Sequence, residues 1–506
     1  LASLSAVVMT LPALAPPAFA QDRLPALGES VSEDLSVASE RRLGDQIMRE
    51  IRNDPDYLDD PVLLEYLQSI WNPLLAAARA RGNISPDIDQ RFAWEAFLVR
   101  DRTVNAFALP GGFVGVHLGL ISMTATRDEL ASVLAHEMSH VTQRHIARGM
   151  VNSRRQSILG LAAMILGMLA ASRSNRADGA NAIFTGGQAA AVQAQLNFSR
   201  DMEREADRIG FGVLTQAGFA PGGMAAMFEK LDHNSRLNDS GGFPYLRTHP
   251  LTAERIGEAR ARLGTAPAVP PVSVLAHAAA QARARVLMDT RVDALRRWQA
   301  LEAPPSASDA DKLIAAYASA LASTQLRDWS RADASLKFAL ALVRGSPRSD
   351  AGAERAVGLL GVESLLARGD SARAAEALRP YADSSSRAVM LLGAQVGMAG
   401  DKALLQQSVE ALQTWTSLHP RDANAWAQLG RGWLASGQTL RALRAEAESR
   451  IAVGDLTGGI DRLRAGQRMA RATSSADFIE ASVIDARLRE IETQARRREI
   501  EERPEG

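Results

Sequence analysis

The stretch Leu130-Ala131-Ser132-Val133-Leu134-Ala135-His136-Glu137-Met138-Ser139-His140-Val141 holds an H-E-x-x-H segment in a helical setting. Upstream, Thr126-x-x-Glu129 is a capping-box pattern, and Leu130, Val133, Leu134 and Val141 supply an apolar face at helical spacing. Residues four apart on a helix stand one above the other, so His136 and His140 can present two imidazoles to one ion. A zinc ion takes about four ligands in a tetrahedron, and a hydrolytic site leaves one position to water. Glu137, beside the first histidine, can take the proton of that water. The blander reading is a helix with two solvated histidines, and the rest of the chain weighs against it.

A third ligand has to come from elsewhere. Residues 193–217 read as a helix containing Glu203-Arg204-Glu205-Ala206-Asp207, with Glu203 and Asp207 on one face. A carboxylate from a separate helix is the usual third protein ligand of a one-zinc hydrolase built on H-E-x-x-H. A neighbouring carboxylate can accept the second N–H of a ligating histidine. Taken alone, the segment is an acidic helix face. Further on, His249 sits in Pro244-Tyr245-Leu246-Arg247-Thr248-His249-Pro250, a loop punctuated by prolines where a side chain can be aimed without burial in a core. Three readings of His249 stay open: a surface histidine, a substrate or transition-state contact, or a fourth ligand that displaces the catalytic water. The last would leave an enzyme latent until the loop moves. Six of the 8 histidines fall between 117 and 249, which confines the chemistry to the first half.

The 506 residues leave room for several domains. Lys+Arg and Asp+Glu are both 58, so no global field recruits nucleic acid or an acidic surface. Aromatics are 5% and alanine is abundant, which favours closely packed helices. With no cysteine there are neither disulfides nor thiolate metal sites. Residues 1–20 read as a signal peptide: 3–20 are uncharged and largely apolar and end in Ala18-Phe19-Ala20. Pro12, Pro16 and Pro17 argue against a membrane-spanning helix there. A secreted chain beginning near Gln21 is expected, with a flexible leader over 21–37.

Helices are predicted over Glu40–Ile51 and, from an Asp60 N-cap and Pro61 at N1, to about Ala80. Alternating Phe92, Trp94, Ala96 and Leu98 suggest a strand, followed by strands over Val104–Leu109 and Phe113–Val116 joined through Pro110-Gly111-Gly112. The apolar run 158–171 is shorter than the about 20 residues a bilayer needs. It reads as a buried helix or hairpin, or as an interfacial or lid segment in peripheral contact with a membrane. Residues 172–187, rich in Ser, Asn, Gly and Arg, are expected to be mobile, and 265–273 is a linker by composition.

Beyond the linker, Trp426-x-x-Leu429-Gly430-x-x-Trp433 followed by Ala442 fits the tetratricopeptide pattern. Weaker units are Trp329-Ser330-Arg331-Ala332 with Phe338, Arg368-Gly369-Asp370 with Ala374 and Leu378, and Val453-Gly454-Asp455 with Ile460 and Leu463. Such pairs cannot bury their own apolar faces and must stack into a solenoid; an irregular bundle is the alternative. Residues 484–502 form a charged helix, a cap or a solvated tail.

The segment Val104 to Gly112, the HEMSH helix, EREAD and the late His249-Pro250-Leu251 occur in the order seen in the metallopeptidase family of HtpX and the CAAX prenyl proteases, which 40–265 resembles. The signal peptide, the lack of spanning helices and the repeat half resemble its periplasmic branch. The resemblance implies one zinc ion on His136, His140 and Glu203, Glu137 as general base, and Asp207 supporting a ligand. It also implies that Asn105, Ala106, Phe107 and Ala108 form the strand along which an extended substrate adds. His249 matches a position that caps the metal, and Arg255, more weakly, an oxyanion contact. Misassembled outer-membrane β-barrel proteins as substrates and the barrel-assembly machinery as partner are further implications, whereas CAAX processing is disfavoured. The expected architecture is mainly α: an α+β zincin-type metallopeptidase domain over 38–264, then an all-α tetratricopeptide-like solenoid over 274–506. The competing class is a tetratricopeptide chaperone or scaffold with a structural or silenced zinc site.

Overall fold

The computed structural model describes residues 36–152, 199–237, 244–264, 274–382, 386–472 and 478–501. The expected signal peptide, nearly all of the leader, the 158–171 run, the 172–187 segment and the 265–273 linker lie outside the described residues. Helix α1 (Val37–Arg52) carries a buried stripe of Leu43, Ile47, Met48 and Ile51. Helix α2 (Pro61–Ala80) starts where Asp60 Oδ1 accepts from the Leu63 N–H at 2.8 Å, with proline in its first turn, where no helical N–H bond is lost.

A short helix α3 (Pro86–Arg91), not expected from the sequence, lies in chain order between the first and second strands of the sheet. The strand expected from Phe92 begins later. Trp94 adopts a φ of 50°, outside the extended range, so β2 covers Glu95–Val99. With β1 (Tyr57–Leu58), β3 (Ala106–Leu109) and β4 (Phe113–His117) it forms a sheet of order β1-β2-β4-β3. Strands β2 and β4 run parallel, and β3 returns antiparallel to β4 with Leu109 opposite Phe113. The sheet is covered on both faces. Phe97, Val99 and Phe113 pack with the α1 stripe, and Ala96, Leu98, Val114 and Val116 pack with Trp71 and Leu134. Parallel pairing requires such cover.

Helices α4 (Leu118–Met123), α5 (Arg127–Thr142), α6 (His145–Asn152), α7 (Arg200–Gln216), α8 (Gly222–Leu237), α9 (Tyr245–Thr248) and α10 (Ala253–Leu263) complete this half. Helix α5 is its axis: every residue from Glu129 to Thr142 is buried, so the helix has no solvent face beyond its first turn. Thr126 Oγ1 accepts from the Glu129 N–H, while Glu129 Oε2 accepts from Ala125 rather than from Thr126 as a strict capping box would have it.

The second half stacks helical hairpins: α11 (Leu275–Leu287), α12 (Val292–Gln299), α13 (Asp309–Gln325), α14 (Trp329–Gly345), α15 (Ala351–Ala367), α16 (Ser371–Leu378), α17 (Arg387–Met398), α18 (Lys402–Leu418), α19 (Ala423–Ala435), α20 (Thr439–Ala452), α21 (Leu456–Ala472) and α22 (Phe478–Glu501). Gly369 and Gly454 make two of the tight turns at φ 81° and 88°, which other residues adopt only with strain. Trp426, Leu429, Trp433 and Ala442 share one core cluster. Phe338, read as an apolar repeat position, is instead 52% exposed, because α14 turns that face outward. Helix α22 is packed through Ile484, Leu488 and Ile491 and caps the stack.

The two halves are not joined at the composition change alone. Helix α11 places Ala280 and Ala284 in the core of the first half and Ala278, Ala279 and Ala282 in that of the second. Arg283 pairs with both oxygens of Asp60 at 2.7 Å and with Glu363 at 2.8 Å. Arg387 likewise bridges Asp59 and Asp422. Among the described residues no helix is long and apolar enough to cross a membrane.

Candidate metal centre

Helix α5 presents His136 and His140 on one face, and α7 crosses it. Gly210 permits the approach: a Cβ there would stand 3.1 Å from the carbonyl carbon and oxygen of Ala135. The crossing brings Glu203 against both histidines, with Oε2 3.5 Å from His136 Nε2 and Oε1 3.4 Å from His140 Nε2. His249, the residue after α9, enters from the far side. Its Nδ1 is 2.9 Å from Glu203 Oε1 and 3.3 Å from His136 Nε2, and His136 and His140 meet through Nε2 at 3.0 Å. The proline-flanked loop does not leave His249 at the surface; it is 2% exposed.

One donor atom from each of His136, His140, Glu203 and His249 lies within 4.8 Å of the others. A tetrahedron with bonds of about 2.0–2.1 Å has edges of about 3.3 Å, and three imidazole nitrogens with one carboxylate oxygen are a zinc-type donor set. The donor set therefore fits a metal. The surrounding charge favours a cation: against burial, Asp207 and Glu203 raise His136 to about 10, toward a charged form that a metal would have to replace. Burial works against the charge on Glu203, yet His249, His136 and His140 hold its carboxyl far below the usual range. Burial also opposes Asp207, but its contacts with His136 and Arg255 keep its carboxyl low as well. Burial pushes His140 down, toward the neutral form that binds metals.

The remaining predicted residues surround this cluster. Asp207 Oδ1 is 2.9 Å from His136 Nδ1. Glu137 is fully buried, and burial raises its carboxyl despite His249 and His136 nearby. Its Oε2 accepts from the Ala108 N–H at 3.1 Å, while Oε1 makes no hydrogen bond and lies 3.5 Å from His249 Nε2. Strand β3 is one edge of the sheet; Asn105 O accepts from His117 N, so Ala106 and Ala108 direct their backbone groups outward, and the Ala108 N–H reaches Glu137. Phe107 instead packs over Gly115 on the α1 face. Arg255 sits otherwise than an oxyanion contact would: it donates through Nε and Nη2 to Asp207, and through Nη1 to Pro250 O, with Glu203 Oε2 at 2.7 Å. It lies behind the carboxylates and is 4% exposed.

Sequence reasoning missed three participants. Tyr245 stacks on His249 with ring centroids 4.6 Å apart, its buried hydroxyl making no hydrogen bond. His145 is fully buried, with Nδ1 2.8 Å from His140 Nδ1 and Nε2 3.0 Å from Glu205 Oε2. The only signal was a histidine five positions after His140, which misses the i, i+4 face. Arg144, at φ 51°, breaks the helix and turns His145 back, at a cost of about 1–3 kcal/mol for such a conformation. The ion pair of Arg144 with Glu40, 2.9 Å and buried, ties that break to α1.

A buried histidine-and-carboxylate cluster on two crossed helices beside a sheet edge is the construction of a metallopeptidase, and residues 65–263 match the model of peptidase family M48. The match takes in the whole donor cluster, so this part of the chain is similar to an M48 metallopeptidase domain. It is 37% identical over 275 residues to the putative beta-barrel assembly-enhancing protease of Vibrio cholerae, covering 54% of either chain. To the beta-barrel assembly-enhancing protease of Yersinia pestis it is 29% identical over 473 residues, 93% of this chain and 92% of that one. A third relative is the mitochondrial metalloendopeptidase OMA1 of Schizosaccharomyces pombe, 31% identical over 229 residues, 44% of this chain and 60% of that one. The first of these matches thus spans about half the length of its relative, whereas the Yersinia match runs through both halves.

Proposed function

We propose that the chain is a zinc-dependent endopeptidase of the periplasm acting in quality control or assembly of outer-membrane β-barrel proteins. Its ligands are His136, His140 and Glu203, and its general base is Glu137. The observation that carries this reading is the convergence of four donor atoms beside a buried carboxylate that has one oxygen free of hydrogen bonds. Zinc at this position would polarise the scissile carbonyl and lower the pKa of a bound water toward about 7. Glu137, buried beside the cluster, would act as the general base that accepts a proton from the attacking water and passes it to the leaving amine. The outward edge of β3 at Ala106 and Ala108 aligns an extended substrate as an added strand. Asp207 holds the ring of His136, and Arg255 holds both carboxylates.

His249 makes the resting enzyme latent in this reading. A hydrolytic metal site keeps a position for water, and His249 Nδ1 supplies a fourth protein donor there. Activity then requires the 244–252 segment to move. The signal-like residues 1–20 and the names of the relatives support the location and substrate class, and the helical stack supplies a surface for substrates and the barrel-assembly machinery.

The same four donors favour one rival reading, because closed four-ligand sites are the structural kind. The chain would then be a scaffold or chaperone with a silent metal. Metal analysis of the purified chain and cleavage of an unfolded β-barrel protein separate the two. One zinc per chain is expected, with cleavage falling by at least about 10²–10⁴-fold in Glu137→Gln. Cleavage by that variant at the wild-type rate sinks the peptidase assignment. Zinc binding without cleavage by either the wild type or an opened variant leaves the scaffold.

A further inference from the structure

The two α5 histidines are supported differently. His136 Nδ1 faces the carboxylate of Asp207 directly, whereas His140 Nδ1 meets another imidazole nitrogen, His145 Nδ1, at 2.8 Å. Two nitrogens at that distance share one hydrogen, so one ring donates and the other accepts. The far side of His145 settles which. Its Nε2 lies 3.0 Å from Glu205 Oε2, an oxygen that also accepts from Arg148 Nη1 at 2.8 Å. A carboxylate only accepts, so in the neutral imidazole the hydrogen of His145 is on Nε2 and its lone pair is on Nδ1. His140 must then donate from Nδ1. Its own lone pair falls on Nε2, the atom facing His136 Nε2 and Glu203 Oε1.

We propose that His145 and Glu205 are positioning residues that set the tautomer of His140, fixing its Nε2 as the electron-pair donor to a divalent cation. The inference rests on the metal-centre reading above. The relay does for His140, through one extra ring, what a direct carboxylate does for a ligating histidine. Its geometry is built in: the left-handed Arg144 aims His145, Glu40 anchors Arg144, and Glu205 comes from α7, the helix that carries Glu203.

The test uses the full chain. Two-bond ¹H–¹⁵N spectra of ¹⁵N-histidine-labelled protein read each ring's tautomer with and without zinc, and chelator competition reads zinc affinity. We expect His145 protonated on Nε2 and His140 on Nδ1. His145→Phe, which cannot accept, and Glu205→Gln, whose amide can donate and reverse the relay, should each lose about 10–100-fold in zinc affinity. His145→Asn, which keeps an acceptor near the Nδ1 position, should recover most of it; a merely structural role predicts no such ordering. A hydrogen on His145 Nδ1, or unchanged affinity in both His145→Phe and Glu205→Gln, overturns the relay. If His145→Phe does not fold, Glu205→Gln and the wild-type spectrum decide. If the wild type binds no zinc, the metal-centre reading fails, while the metal-free spectrum still judges the tautomers.

Discussion

His249 stands between the donor cluster and Glu137: its Nδ1 is 2.9 Å from Glu203 Oε1, and its Nε2 is 3.5 Å from Glu137 Oε1. The ring occupies the volume in which a water would have to meet both the cluster and the base. His249→Ala empties that volume and keeps His136, His140 and Glu203. If about 90–99% of resting molecules are closed, cleavage of an unfolded protein rises roughly 10- to 100-fold, with zinc content unchanged. An unchanged rate refutes latency, and a lower rate assigns His249 to the transition state.

Arg255 balances two buried carboxylates, Asp207 and Glu203, and all three side chains are almost wholly inaccessible. Arg255→Met removes the cation that the two carboxylates share and leaves only the histidines facing them. Urea unfolding of the metal-free variant should show a loss of about 3–5 kcal/mol, the usual penalty for breaking a buried ion pair from one side. Added zinc should restore part of it, since a cation then faces Glu203. A variant as stable as wild type without metal contradicts this balance.

His277 joins the two halves, with Nδ1 2.5 Å from the Tyr66 hydroxyl and Nε2 2.8 Å from Thr124 O. Burial pushes its pKa down from 6.5 to about 4, against the pull of the Thr124 carbonyl. The unfolded chain therefore binds the proton more readily than the folded one. The stability from neutral His277 is complete above pH 6.5 and drains away as the pH falls toward 4, by at most about 3 kcal/mol. His117, lowered to about 4 by burial against the pull of Asp101, titrates over the same window. Denaturation between pH 7 and 5 should thus lose part of its slope in His277→Gln. An identical slope means that the interface does not sense this proton.

Gly210 sets the distance between α5 and α7, because a Cβ there would press on the backbone at Ala135 and His136. Gly210→Val should destabilise by about 1–3 kcal/mol through overpacking. It should also weaken zinc binding, since Glu203 rides on the displaced helix. Wild-type zinc affinity in a folded variant would show that the helices yield without moving Glu203.

Much of this was readable along the chain, because helix starts, helical faces and motif spacing are local physics. Asp60 with Pro61 marks the start of α2, and His136, Glu137 and His140 form a unit of the 3.6-residue turn wherever the helix sits. What lies across space was not readable. Whether His249 is a surface loop residue or a buried donor depends on where α9 lands. Arg255 points behind the carboxylates because α10 packs against that side. His145 is aimed by a backbone reversal at Arg144 that no spacing rule signals. Sequence alone determined which atoms were available for the chemistry and the pitch on which two of them repeat. Only tertiary structure decided which of them meet, because close packing of crossed helices sets distances of about three ångströms between side chains far apart in the chain.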